Sequence, residues 1–156
     1  MRFAPILLCW SVLCVAAEPV RKLKVFVLAG QSNMEGQAVV DLAGRDYNQG
    51  KGTLVEVMAR PGNAERYAHL KDKEGNWAVR QDVWVRYQRE KRPLLAGGLS
   101  VGYAVYGDQH HFGPELQFGH VIGQACRDQV LLIKTSWGGK SLYRDFRPPS
   151  AGGEVG

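Results

Sequence analysis

The sequence has few cysteines and no disulfide pattern. Three cysteines occur in 156 residues, and two of them, Cys9 and Cys14, lie near the amino terminus. The rest of the chain therefore has no internal disulfide framework of the kind that stabilises small secreted domains. Cys126 lies in an apolar helical pattern, which favours a buried, unreactive thiol. The fold must depend on its hydrophobic core, for which a chain of this length can suffice.

No apolar run is long enough to cross a bilayer, which needs about 20 residues. The run from Ile6 to Val15 follows the basic Arg2 and ends in small residues before Glu18. This order is typical of a secretory signal peptide. We predict that residues 1–17 are a signal peptide cleaved after Ala17, that the mature protein is secreted or periplasmic, and that it has no membrane partner.

The sequence also lacks a strong excess of charge of either sign. The 20 basic and 15 acidic residues give a net charge of +5, and cleavage would remove Arg2. A basic cluster lies beside aromatic residues, but no nucleic-acid-binding motif accompanies it. A charged strand edge that keeps sheets from pairing explains the same residues, so we predict no nucleic-acid partner. The cluster consists of Arg86, Arg89, Lys91 and Arg92.

Phosphate-binding glycine motifs are absent as well. The glycines from Gly97 to Gly107 have neither dinucleotide-binding nor Walker spacing, and they indicate a flexible loop near a site. Glycine and polar residues also predict loops at 41–52 and 60–76. With no internal repeat, the length supports a single domain over residues 18–156.

The apolar residues predict an α/β fold. Near-continuous runs at 23–29 and 130–133 are typical of buried parallel strands. Alternation at 82–88 predicts a half-buried strand, and 53–58 is a further strand candidate. A helix opens at Pro114, with a core-facing stripe of Phe118, Val121, Ile122 and Ala125. The strand–helix–strand order predicts a parallel sheet, with two strand ends at the same edge.

Ser32 follows the first predicted strand, which stops at Gly30. Ligands of α/β sheets bind at the carboxyl ends of strands, and a serine on a sharp turn there exposes its hydroxyl. Ser32 is therefore a candidate nucleophile, and capping of the following helix is the alternative. A serine nucleophile needs a histidine base oriented by a carboxylate, and donors for the oxyanion.

Three blocks, in order, resemble the sialate O-acetylesterase and acetylxylan esterase family, whose members are carbohydrate esterases of the SGNH-hydrolase type. They are Gly-Gln-Ser-Asn-Met at 30–34, His-Phe-Gly-Pro-Glu at 111–115 and Thr-Ser-Trp-Gly-Gly-Lys-Ser-Leu at 135–142. The resemblance implies a flavodoxin-like, three-layer α/β/α sandwich with a parallel sheet. It also implies a serine esterase that removes O-acetyl groups from carbohydrates such as sialates or xylan, without a metal or cofactor.

The same resemblance implies roles for individual residues. Ser32 would be the nucleophile, and the N–H groups of Ser32 and Gly113 would form the oxyanion hole. The residues around the acyl or sugar pocket would be Gln31, Asn33, Glu115, Trp137 and Gly138.

Three of these residues have plainer interpretations. The indole of Trp137 is a good apolar platform for a sugar, but a core tryptophan at a strand end fits equally. Glu115 also suits the first turn of a helix, where the dipole favours acidic side chains. For Asn33, a helix N-cap is favoured over a catalytic donor.

The histidine that would act as the catalytic base departs from the family pattern. The family's histidine lies in an Asp-x-x-His block near the carboxyl end of a longer domain, after a Gly-Glu block, and we expect this chain to stop at Gly156 before either block. Asp108 and His111 have that spacing, which makes His111 a candidate base, but they stand earlier in the order. His69 lies in a polar loop, and His120 lies among helical positions.

We therefore expect residues 18–156 to be the amino-terminal part of a longer esterase domain, with a sheet face or edge left uncovered. One alternative is an inactive truncated fragment, or a sugar-binding remnant without the catalytic histidine. A non-enzymatic interaction module is a third class.

Overall fold

The computed structural model describes residues 22–153, and the predicted signal peptide lies outside them. The described chain forms the predicted α/β fold. Its strands are β1 (Leu23–Gly30), β2 (Ala38–Val39), β3 (Arg80–Tyr87), β4 (Leu95–Leu99), β5 (His111–Phe112) and β6 (Gln129–Ser136). Its α-helices are α1 (Ser32–Glu35), α2 (Leu54–Ala59), α3 (Ala64–Tyr67) and α4 (Glu115–Ala125), with 3-10 turns at Arg45–Gly50, Ala68–Leu70 and Pro149–Ala151.

The main sheet of the described residues has the order β1-β6-β3-β4. β6 is parallel to both β1 and β3, which confirms the predicted parallel pairing, whereas β4 is antiparallel to β3 and makes the sheet mixed. β2 and β5 form a separate antiparallel pair. Gly30 of β1 lies opposite Ser136 of β6, so these two strands end together, as the sequence predicts.

The order of the parallel strands differs from the expected flavodoxin-like order. That order would place the first strand between the other two. Here β1 is at an edge of the described sheet and β6 is central. Val130 and Leu132 of β6 have no exposed surface, in keeping with a central strand.

Helix α4 packs on one face of the sheet and forms the main core with it. Phe118 and Ile122 contact this core, as predicted, but Val121 and Ala125 of the predicted stripe are exposed. Gly119 and Gly123 are buried instead. A Cβ on Gly119 would lie 2.5 Å from the side chain of Leu99, so these glycines let the helix approach the sheet closely. The buried core side chains are Leu28, Val83, Val85, Leu99, Val130 and Leu132.

A second apolar cluster lies around the start of α4. Leu116 of the helix packs there with α2 and the loops, through Val40, Leu54, Leu70 and Val101. Cys126, at the end of α4, is half-buried against the main core and forms no disulfide within the described residues. The predicted burial of the Cys126 thiol is thus confirmed in part, because the residue packs against the core but is only half-buried.

The opposite face of the sheet is open. Leu23, Val25 and Val27 of β1 project from it, and Trp84 of β3 lies in register with Leu131 on the same face. The exposed fractions of these β1 side chains range from 49% to 62%. Within residues 22–153 the sheet therefore has one helix-covered face, in agreement with the expectation of an uncovered face.

Residues 53–58 are not a strand, contrary to the prediction. Leu54–Ala59 is helix α2, and the hydroxyl of Thr53 accepts a hydrogen bond from the Glu56 N–H at 3.3 Å. The β-branched residues favoured a strand, but Thr-x-x-Glu is the pattern of a helix amino terminus. The predicted loop at 60–76 also contains α3, and the glycine-rich stretch begins within β4, which includes Gly97 and Gly98.

The interpretation of Arg86–Arg92 as a strand edge is also wrong. β3 lies between β6 and β4, so neither of its edges is free. Arg89 is buried, and its guanidinium donates to the carbonyl of Tyr106 at 2.9 Å. The side chain therefore holds a neighbouring loop. The predicted alternation of β3 is confirmed, because Val83, Val85 and Tyr87 have no exposed surface.

Candidate active site

Ser32 lies where β1 gives way to α1. It is the first residue of the helix, and the N-cap is Gln31, whose side-chain oxygen accepts from the Ser32 N–H at 3.4 Å. The Ser32 hydroxyl lies 3.3 Å from the same oxygen. Neither Ser32 nor Asn33 caps the helix, so the capping interpretations of both residues are wrong. The hydroxyl is left at the protein surface, half-buried.

Ser32 opens into a pocket of about 570 Å³, a volume within the usual range of ligand sites. Three of the predicted residues line it together, namely Ser32, Asn33 and Gly113. The side chain of Asn33 is exposed there. The other lining residues are Gly36, Gln37, Ala38, Phe112, Pro114 and Gln117.

Gly138 reaches the same place from the end of β6. A Cβ on Gly138 would lie 4.0 Å from the Ser32 Cβ and 2.9 Å from a carboxylate oxygen of Glu35. The paired ends of β1 and β6 therefore bring two predicted residues together. Gln31 faces the other side of the turn, in a depression of about 690 Å³ that Leu142 and Tyr143 also line.

Gly113 does not present its N–H to the pocket. That N–H donates to Oε1 of Glu115 at 2.9 Å. Gly113 also packs against Gly36, whose Cα would be 3.1 Å from a Cβ on Gly113. An oxyanion hole that uses the Gly113 N–H needs this group to turn away from the carboxylate.

Glu115 lies beneath the pocket rather than on its wall. Its side chain has no exposed surface, and Oε2 lies 2.6 Å from Nζ of Lys134, which is equally buried. Burial raises the pKa of Glu115 and lowers the pKa of Lys134, and in each case the partner's charge opposes the shift. Glu115 therefore reaches the pocket through Gly113.

Glu35 and Tyr87 extend this buried cluster. The Tyr87 hydroxyl is 3.0 Å from Oε1 of Glu35 and donates to it. Burial, together with the charge of Glu35, raises the pKa of Tyr87 well above its ordinary value. Sequence reasoning missed Glu35, Tyr87 and Lys134 as site residues. The signal for Lys134 was its even spacing from Val130, which puts its side chain on the buried face of a strand.

Trp137 is half-buried beside the site, at the end of β6. Its indole N–H donates to the carbonyl of Gln88 at 2.9 Å, and one ring face stacks on Phe146 with centroids 5.6 Å apart. It lines a depression of about 340 Å³ together with Arg89 and Lys140. The side chain is absent from both core clusters.

Asp108 and His111 form the pair that their spacing predicts. Nδ1 of His111 lies 2.8 Å from Oδ1 of Asp108, and the imidazole is 8% exposed. Burial works against ionisation of Asp108, but hydrogen bonds from His111 and the His110 N–H outweigh it and lower the pKa of Asp108. His111 packs against Tyr106 and does not line the Ser32 pocket.

The other histidines do not contact Ser32 either. His69 lies 3.3 Å from the side chain of Gln117, which does line the pocket, and its ring packs on His120. The side chain of His110 pairs with Asp41. Throughout residues 22–153, therefore, no imidazole is hydrogen-bonded to the Ser32 hydroxyl.

Between residues 22 and 153, no group of three or more His, Cys, Asp or Glu side chains converges to hold a metal ion. Within the same range, no helix has the length and apolar character needed to span a membrane.

The described residues thus form an α/β scaffold with a half-buried serine beside a pocket, at a strand-to-helix turn. The family model for carbohydrate esterase, sialic acid-specific acetylesterase, matches residues 22–153. The chain belongs to this family of carbohydrate esterases. No curated protein and no solved structure matches the chain at a significant level.

Proposed function

We propose that the protein is a serine esterase that removes O-acetyl groups from carbohydrates of the sialate or xylan type, with Ser32 as the nucleophile. One observation carries this proposal. The Ser32 hydroxyl is free of any capping role and shares a 570 Å³ pocket with Asn33 and Gly113. Membership of a carbohydrate esterase family supports the same chemistry.

In this reaction the Ser32 Oγ attacks the acetyl carbonyl carbon, and its proton passes to a base. The tetrahedral oxyanion needs two or more donors. The Ser32 N–H is one candidate, because it makes only a long hydrogen bond, at 3.4 Å, to Gln31. The Asn33 side-chain amide is the second, because Asn33 lines the same pocket. The C–O bond to the sugar then breaks, and the sugar oxygen takes the proton. Water hydrolyses the acetyl-serine and releases acetate.

Trp137 and Gly138 would contribute to sugar binding at the end of β6. The half-buried indole offers an apolar platform for a sugar ring. Gly138 leaves room beside Ser32, since a side chain there would approach Glu35. Acetylated carbohydrate is therefore the partner that we propose for the site.

The test replaces Ser32 by alanine in the full-length protein, with Ser150→Ala as an exposed-loop control. Hydrolysis is measured on 4-nitrophenyl acetate, O-acetylated sialic acid and acetylated xylan. We expect Ser32→Ala to lower kcat/KM by at least about 10³-fold, because removal of a serine nucleophile is among the largest single losses known. Equal turnover in the two variants would refute the proposal.

Sugar binding without turnover is the second candidate function. It is favoured by the finding that no imidazole within residues 22–153 contacts the Ser32 hydroxyl. Calorimetry with acetylated sugar, combined with mass spectrometry of Ser32, distinguishes the two. Binding without acetylation of Ser32 supports this candidate, whereas an acetyl-serine intermediate excludes it.

We also propose that the protein is exported to a secreted or periplasmic location, after cleavage behind Ala17. The apolar run at 6–15 and the small residues before Glu18 support this. Mass spectrometry of the exported protein should find an amino terminus at Glu18. A mature chain that begins at Met1 would contradict it.

A further inference from the structure

Lys134 is a buried lysine at the centre of the sheet. It lies on β6, in register with Leu28 of β1 and Tyr87 of β3, and its side chain has no exposed surface. Lysine is almost never fully buried without partners, because its ammonium loses hydration. Lys134 therefore depends on the groups that face it.

Those groups come from three separate segments. Nζ donates to Oε2 of Glu115 at 2.6 Å, to the carbonyl of Glu35 at 2.7 Å and to the carbonyl of Tyr103 at 2.7 Å. An ammonium has three donors, and all three are used. The ring of Tyr87 lies 4.7 Å below the charge. One side chain thus joins parts of the chain that lie 19 to 99 residues from it.

Two of these segments are the walls of the Ser32 pocket. The Glu35 carbonyl belongs to the last residue of α1, the helix that Ser32 begins. Glu115 accepts the Gly113 N–H through its other oxygen, so Lys134 reaches the opposite wall through one carboxylate. The third segment also contacts the wall that carries Ser32, because Val105, near Tyr103, donates its N–H to the Gly36 carbonyl at 3.3 Å.

We propose that Lys134 is a positioning residue for the Ser32 site, which holds the Ser32 turn and the Gly113 peptide in one geometry by binding both from beneath. The inference rests on the proposed esterase function. An apolar side chain of similar size would fill the same space without the cost of burying an ion pair. It would leave the Glu35 and Tyr103 carbonyls without their donor, and the two walls without their common anchor.

The test compares Lys134→Met with the double variant Lys134→Met/Glu115→Gln in the full-length protein. The single variant leaves a buried, uncompensated carboxylate and is expected to lose stability strongly. The double variant removes both charges and is expected to regain most of the thermal midpoint. Lys73→Met, on an exposed loop, is the control for the loss of one positive charge.

Two readouts separate positioning from simple stabilisation. In the double variant we expect kcat on 4-nitrophenyl acetate to fall at least about tenfold with KM nearly unchanged, because small displacements of reacting groups cost rate. We also expect amide hydrogen exchange at Gly36 and Val105 to accelerate at least about tenfold, since local opening governs exchange. A stable double variant with unchanged kcat and unchanged exchange would overturn the proposal.

A double variant that fails to fold leaves Glu115→Gln alone as the deciding variant. Lys134 then keeps both carbonyl acceptors but loses its carboxylate, so global stability should fall. Gly36 and Val105 should nevertheless stay protected up to the free energy of global unfolding. Loss of their protection in Glu115→Gln would overturn the proposal. If the wild-type protein shows no Ser32-dependent hydrolysis, the esterase proposal fails separately, and hydrogen exchange decides whether Lys134 holds the two walls together.

Discussion

Gly36 and Gly113 pack backbone against backbone, so closely that a Cβ on Gly36 would overlap the Cα of Gly113. Gly36 follows the helix that carries Ser32, and Gly113 precedes α4. Gly36 also has φ +83°, a conformation that residues with a side chain rarely adopt. The two walls of the Ser32 pocket therefore meet at a contact that requires glycine on both sides.

Gly36→Ala should destabilise the protein more than Gly62→Ala does. Both glycines have positive φ, but a Cβ on Gly62 meets no atom within 4 Å, so Gly62→Ala isolates the backbone cost. We expect a loss of about 1–2 kcal/mol at Gly62 and about 3–5 kcal/mol at Gly36, where overlap adds to strain. Urea unfolding measures both. Equal losses would show that the contact with Gly113 relaxes freely.

Asp108→Asn tests whether His111 is the base. The pair is well formed, but His111 does not line the Ser32 pocket. We therefore expect kcat to change by less than about threefold. A catalytic histidine that lost its orienting carboxylate would show a fall of about 10⁴-fold. A fall above 100-fold on an acetate ester, with unfolding unchanged, would assign His111 to the reaction.

His120 should make the protein sensitive to acid. Burial, helped by the nearby His69 and Arg80 and opposed by Asp82, lowers the pKa of His120 from 6.5 to about 4. Between pH 6.5 and pH 4, His120 is therefore protonated in the unfolded chain and neutral in the folded protein. The free energy of unfolding is therefore unaffected by His120 above pH 6.5. It falls by at most about 3 kcal/mol as the pH decreases towards 4.

His120→Phe should remove that dependence. Nε2 of His120 has no hydrogen-bond partner among the described residues, so the replacement sacrifices no bond, and the packing on His69 is retained. Urea unfolding between pH 4 and pH 7 should show a shallower loss of stability than in the wild type. Parallel curves for the two proteins would contradict the role of His120.

Trp137→Ala should separate sugar substrates from simple esters. The half-buried indole offers a stacking surface, worth about 0.5–1.5 kcal/mol in aromatic contacts. We expect KM for acetylated oligosaccharide to rise about two- to tenfold while turnover of 4-nitrophenyl acetate stays within about twofold. Leu142→Ala, an exposed side chain near Gln31, is a comparison for general surface loss. Equal effects on both substrates would argue against a sugar platform.

The fold was predictable wherever burial followed a simple period. The alternation of Val83, Val85 and Tyr87 reports directly which side of β3 faces the core. The continuous apolar runs predicted β1 and β6 as strands, but they did not report that Val25 and Val27 of β1 are exposed. Prediction failed at Thr53–Met58, because β-branched residues favour strands and helix α2 is held by its Thr53 cap and by tertiary packing of Leu54. The strand order of a flavodoxin-like sheet, which the family resemblance implies, also differs from the observed order. Hydrophobic periodicity carries no information about which strands are neighbours.

The sequence by itself determined the position of Ser32 after an apolar strand, the Asp108–His111 spacing and the three blocks that indicate a carbohydrate esterase. These are local features, set by short stretches of chain. Only the tertiary structure decided that Glu115 lies beneath the pocket, that the Gly113 N–H faces a carboxylate, and that Lys134 joins both. The reason is physical: a buried charge selects its partners by proximity in the folded core, and those partners lie up to 99 residues away.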